Sequence, residues 1–186
     1  GGPSALMDVL GAIPETVDFS VLVAQHMPEK FTRTFAERMD RRSRLRVREA
    51  EGDEIVRAGE VLICPGMRCM EVQSVGEELR VRVGPAHPTD RYIPSADRLF
   101  LSAARAWGPK VIGVVLTGMA DDGARGALAV REAGGHVIAE SGETAVVFGM
   151  PRATIELGAA HQVLPLRDVA PALLRLDGAV RDGQKQ

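Results

Sequence analysis

The chain has 186 residues, a formal net charge of −2 and a hydrophobic content of 45%, enough for one domain whose core needs no metal or disulfide staples. Near-neutral charge and only 4% aromatic residues argue against nucleic-acid and anionic-membrane partners. No apolar run approaches the roughly 20 residues that would span a membrane, and no signal peptide is visible. The two cysteines, Cys64 and Cys69, lack zinc spacing and are too few for a disulfide framework, which points to a reducing, cytoplasmic setting. The chain begins Gly1-Gly2 rather than with Met, as a trimmed, processed or internally started polypeptide would.

In chain order, Pro3 to Ile13 is predicted helical, with Leu6, Met7 and Leu10 on its apolar face and Gly1-Gly2-Pro3 as the entering turn. Ser20 to Ala24 is a buried strand that ends in Gln25-His26-Met27-Pro28. A helix follows from Glu29 to Arg42, with Phe31, Phe35 and Met39 on one face. Leu45 to Arg48 alternates like a half-buried strand, and Val61 to Cys64 is apolar throughout. Met70–Gln73 and Leu79–Val83 alternate around Gly76, the pattern of a two-stranded antiparallel insert. Ser95 caps a helix that buries Leu99, Phe100, Ala103 and Trp107. Val111 to Leu116 is another buried strand, followed by a helix from Asp122 to Ala133 that Gly134-Gly135 closes. His136–Ala139, a short helix Pro151–Leu157, strand Gln162–Leu164 and a helix Leu166–Leu176 complete a single domain over residues 1–176. The polar residues 177–186 read as a flexible tail. Strand–helix alternation predicts a three-layer α/β domain with a mainly parallel sheet and a small antiparallel hairpin insert.

Ligands of such sheets bind at the carboxyl edge, and both His26 and Asp121-Asp122 fall there. His26 is either a locally satisfied imidazole or a general base, since imidazole titrates near neutrality. One of the two acids is expected to cap the following helix, Asp121 by preference, and Asp122 reads either as a cap or as a site carboxylate. Two acids without further ligands are weak grounds for a metal, and no cofactor is called for. Gly1-Gly2 lacks the context of a phosphate-binding loop. Ser4 and Ser95 read as helix-start residues, so no nucleophile is evident. Arg33, Arg38, Arg41, Arg42, Arg44, Arg46 and Arg48 form a basic cluster, either a solvated face or a docking surface for an acidic protein.

Several segments, in order along the chain, resemble the chemotaxis protein-glutamate methylesterase (CheB-type) family. They are Gln25–Pro28 with Phe31–Arg38, Glu49–Asp53, Ile63–Gly66, Pro94–Phe100, Leu116–Met119 and Val146–Pro151. The resemblance implies a doubly wound α/β hydrolase domain that demethylates glutamyl γ-methyl esters on chemoreceptor cytoplasmic helices and deamidates certain glutamines. It implies His26 as general base, Asp122 as its orienting carboxylate, and Met119 lining the site with its amide as an oxyanion donor. The family's nucleophilic serine lies in a Gly-Ala-Ser-Thr-Gly-Gly turn whose last glycines match Gly1-Gly2. The serine and its strand are therefore expected just upstream of Gly1. Cys69, Ala120-Asp121 and Tyr92-Ile93 depart from the family's usual His, Gly-Asn and His-Arg. No receiver domain is evident, although the full-length protein could carry one. The implied partner is the chemoreceptor, whose acidic helices the arginine cluster would face. The alternative is a non-catalytic interaction domain of the same fold; a nucleotide-binding domain is a distant third.

Overall fold

The computed structural model describes residues 1–184. Its first half contains α1 (Gly2–Gly11), β1 (Val21–Val23), α2 (Glu29–Asp40), β2 (Arg46–Glu49), β3 (Glu54–Ile55), β4 (Glu60–Ile63), β5 (Arg68–Val75) and β6 (Glu78–Pro85). The second half contains α3 (Ala96–Trp107), β7 (Ile112–Val115), α4 (Ala124–Glu132), β8 (His136–Glu140), α5 (Met150–Glu156), β9 (Gln162–Leu164) and α6 (Leu166–Gln184).

Two parallel sheets run β1-β4-β2 and β7-β8-β9, and a small antiparallel sheet runs β3-β6-β5. The apolar runs are continuous because helices cover both faces of the parallel sheets. Side chains alternate accordingly: Val61 and Ile63 pack with α1, α2 and α6, while Leu62 and Cys64 pack with α3 and the antiparallel sheet. On the second sheet, Val115 and Val137 meet Ala127 and Val130 of α4. The result is the expected three-layer α/β architecture.

Four local expectations change. Phe31 is 58% exposed while Phe35 and Met39 are buried, because each four-residue step drifts about 40° around the helix and the buried stripe of Thr32, Phe35, Ala36 and Met39 leaves Phe31 at its side. The antiparallel insert has a third strand, β3, paired with β6 at Glu54↔Val81; two residues are too few to show an alternating pattern. Helix α4 begins at Ala124, two residues later than the sequence predicts, because Gly123 occupies its N-cap with φ +91°. The last helix does not stop near Leu176 but runs to Gln184, since Gly178 does not adopt the positive φ that would close it. Of the expected tail, residues 185–186 lie outside the described residues.

Among the described residues, strands β1 and β7 each have one unpaired side, and those sides line a common cleft of about 260 Å³ between the two parallel sheets. The carboxyl ends of both strands, Gln25-His26 and Thr117-Gly118, line the same cleft. Helix α1 starts there too. A Cβ on Gly2 would come within 2.6 Å of the Gln25 side-chain oxygen, and one on Gly1 within 3.5 Å of Thr117.

Candidate active site

His26 leaves β1 at the carboxyl edge and Asp122 lies in the turn between β7 and α4, 96 residues away in sequence. The fold brings them together, with His26 Nε2 2.7 Å from Asp122 Oδ2. A carboxylate only accepts, so Nε2–H donates, and in the neutral ring the lone pair is on Nδ1. The Asp122 side chain is 1% exposed and that of His26 31%. Burial of an acid demands partners, and the first turn of α3 supplies them. Ala96 N–H donates to Asp122 Oδ2 at 2.8 Å and Asp97 N–H to Oδ1 at 3.0 Å. The carboxylate is thus fixed by helix amides on one side and offers an oxygen to imidazole on the other. Ser95 caps that same helix by accepting from Arg98 N–H at 3.1 Å.

The turn after β7 is held from below. Thr117 N–H donates to the buried Glu140 carboxylate at 2.7 Å, and Gly118 N–H to Val147 C=O at 3.0 Å. Met119 follows with its side chain 76% exposed, and its N–H has no hydrogen-bond partner among the described residues. Ala120 then takes φ +72°, a left-handed backbone that costs a residue with a Cβ about 1–2 kcal/mol.

Asp121 does not cap α4, as the sequence predicts, because no side chain caps that helix. It turns outward instead, accepting from Tyr92 O–H at 2.8 Å and lying 3.6 Å from Arg91. The Tyr92 ring stacks on His26 with centroids 5.7 Å apart and planes 29° from parallel. Sequence reasoning missed this contact; the one signal was that positions 92 and 121 both depart from the family pattern. Beside Asp122 opens a polar cleft of about 510 Å³ lined by Tyr92, Asp97, Arg98, Asp121 and Arg125. Burial pushes the Asp97 carboxyl up, and the Asp122 charge acts in the same direction, against a hydrogen bond from Gly126.

Among the described residues no hydroxyl or thiol bonds to His26. Cys64 is a core residue whose thiol burial pushes up to about 12, with Cys69 adding to the effect. Cys69 is also buried, against Asp90. Ser4 lies in the first turn of α1. The arginines do not converge on His26. From Arg38 to Arg46 they follow the last turn of α2 and the turn into β2, towards the amino edge of the sheet, and Arg48 pairs with Glu54. Among the described residues no group of three or more His, Cys, Asp or Glu forms a metal ligand set, and no helix is long and apolar enough to cross a membrane.

Fold and site together define an α/β domain in which a histidine pairs with a buried carboxylate at the carboxyl edge of the parallel strands. The CheB methylesterase family profile matches residues 1–173, and the chain belongs to that family. It is 45% identical, over 98% of its length, to protein-glutamate methylesterase/protein-glutamine glutaminase 3 of Geobacter sulfurreducens, covering 49% of that protein. To protein-glutamate methylesterase/protein-glutamine glutaminase 1 of Myxococcus xanthus it is 49% identical over 95% of the chain and 51% of the relative. The CheB methylesterase catalytic domain of Thermotoga maritima superposes with a TM-score of 0.91 at 38% identity, over 95% of this chain and 93% of that one. The chain spans about half the length of the two full-length relatives.

Proposed function

We propose that this chain is the hydrolytic part of a chemoreceptor methylesterase and glutamine deamidase acting in the cytoplasm. In this reading His26 is the general base, Asp122 its orienting carboxylate and the Met119 amide an oxyanion donor. The nucleophile is a serine on a segment preceding Gly1. The observation that carries the reading is the pairing of His26 with the buried Asp122 carboxylate at the mouth of a cleft between two parallel strand edges unpaired among the described residues. A strand seated in that cleft would join both sheets, and its carboxyl end would feed directly into α1. The serine two residues before Gly1 would then stand at the cleft mouth, beside His26.

The chemistry follows from the tautomer. Nε2–H is committed to Asp122, so Nδ1 takes the serine proton as Oγ attacks the glutamyl ester carbonyl. The new oxyanion receives the free N–H of Met119. Collapse breaks the ester C–O bond, and imidazolium returns the proton so that methanol leaves. Water, deprotonated by His26, then cleaves the acyl-enzyme to glutamate and regenerates the serine. A glutamine side chain follows the same course with ammonia as leaving group. The partner is the methylated cytoplasmic helix of a chemoreceptor, and the remaining half of the full-length protein is proposed to include a receiver domain.

The test is methanol release from methylated receptor by protein that includes the residues preceding Gly1. The reading predicts release that depends on the serine and on His26. Receptor binding with no methanol release would favour a non-catalytic interaction domain and overturn it.

A further inference from the structure

A single hydrogen bond does not fix the plane of an imidazole: small coupled rotations about Cα–Cβ and Cβ–Cγ tilt the ring and redirect its other nitrogen. For His26 the bond holds Nε2 at Asp122 Oδ2, and the nitrogen that is redirected is Nδ1. The ring is 31% exposed, so solvent alone does not hold its plane. Tyr92 does meet the plane, stacking on it with a 5.7 Å centroid separation.

Tyr92 is itself held. Its O–H donates to Asp121 Oδ1 at 2.8 Å, the Arg91 guanidinium carbon lies 5.4 Å from its ring centre, and Arg91 and Asp121 lie 3.6 Å apart. Asp90, two residues earlier, anchors the same loop. It accepts from His87 N–H at 2.6 Å and Arg98 Nη1 at 2.6 Å, with Cys69 Sγ at 3.7 Å. The loop then enters α3, whose first amides fix Asp122. The acid and the aromatic cover of one imidazole therefore both stand on the start of α3. Other charged groups nearby are Asp97 of α3 and Arg125 of α4, which form their own pair at 3.8 Å.

We propose that Tyr92, tied by Asp121, is a positioning residue that fixes the plane of the His26 imidazole and so the direction of Nδ1. The inference rests on His26 being the base. Its ring would also favour the imidazolium formed during proton transfer, since a cation on an aromatic face is stabilised. The phenol is held above its ordinary value by its hydrogen bond to Asp121.

The experiment has a kinetic arm and a spectroscopic arm. In the full-length protein, Tyr92→Leu should lower kcat about tenfold with KM nearly unchanged, because a misdirected base slows chemistry without touching substrate. Tyr92→Phe keeps the stacked ring and should recover most of that rate. Asp121→Ala should cost about two- to threefold, and nothing more in the Tyr92→Phe background, where the shared bond is already gone. In the unliganded protein, proton NMR of His26 should show the ring-current shift of a stacked phenol, lost in Tyr92→Leu. Tyr92 is the single tyrosine of these 186 residues, and the part of the near-ultraviolet titration lost in Tyr92→Phe is that of its phenol. That titration should fall towards the ordinary value near 10 in Asp121→Ala. A Tyr92→Leu effect confined to KM would make Tyr92 a substrate contact and overturn the proposal, as would unchanged His26 resonances. If no variant or wild type releases methanol, the hydrolase reading fails, and the NMR arm still decides whether Tyr92 holds the ring.

Discussion

Asp121 and Asp122 are the same residue type at successive positions, yet their side chains are 54% and 1% exposed. Asp122 gives up water for two helix amides and an imidazole. Asp121 keeps its water and adds a phenol and a guanidinium. The difference teaches how a short turn divides its work. The buried acid is fixed by the first amides of α3 and bonds the imidazole, and the exposed one bonds the phenol that stacks on that imidazole. Proximity in sequence says little about which is which; the packing of α3 against the turn decides it.

That contrast can be broken experimentally, beginning with the inner pair. His26→Ala in the serine-containing protein should reduce kcat by roughly 10⁶-fold, as loss of a triad base does. Its thermal midpoint should hold, because a part-exposed ring leaves no large cavity. Asp122→Ala should reduce turnover less, by roughly 10⁴-fold, and also destabilise the fold by about 1–3 kcal/mol, because it strands the Ala96 and Asp97 amides. Denaturant titration of the two variants separates these effects: equal stabilities would contradict the anchoring role given to Asp122.

Between the inner and outer acids lies Ala120 at φ +72°. Ala120→Gly should stabilise the protein by about 1 kcal/mol by removing a Cβ from left-handed backbone, visible as a rise in the denaturation midpoint. At the exposed end, Asp121→Ala should change stability by no more than about 0.5 kcal/mol. A larger loss would mean that Asp121 supports the fold as Asp122 does.

The loop that carries the outer cover has a pH dependence of its own. Burial raises the Asp90 carboxyl, but the His87 amide and Arg98 outweigh it and hold the group below its usual range. A carboxyl depressed in the folded state stabilises it fully above the unfolded value near 3.9 and loses that contribution as pH falls through the folded value. The stability gap between wild type and Asp90→Asn should therefore be present at about pH 6 and shrink towards about pH 3. A gap that widened with acid would reverse the assignment.

Much of the fold was legible because its strands are buried on both faces. Val61–Cys64 and Val111–Leu116 read as core strands without a periodic signal, and each ends at the edge where the sites lie. His26 and Asp122 were legible as residues at strand ends, and their pairing came from the family resemblance. What local pattern could not show is contact at a distance. Tyr92 and Asp121 are 29 residues apart, and beyond their shared departure from the family pattern nothing in either neighbourhood announces the other. The role of Asp121 was misread because acids before helices usually cap them, whereas Gly123 takes that position here. Phe31 was misplaced by treating a four-residue step as an exact helical repeat.

The measurement that tests the central claim most directly is peptide mapping of the serine-containing protein after treatment with a serine-directed phosphonate. The account predicts one label, on the serine two residues before the position numbered Gly1, formed at least tenfold more slowly in His26→Ala. A label elsewhere, or equal labelling with and without His26, would contradict it.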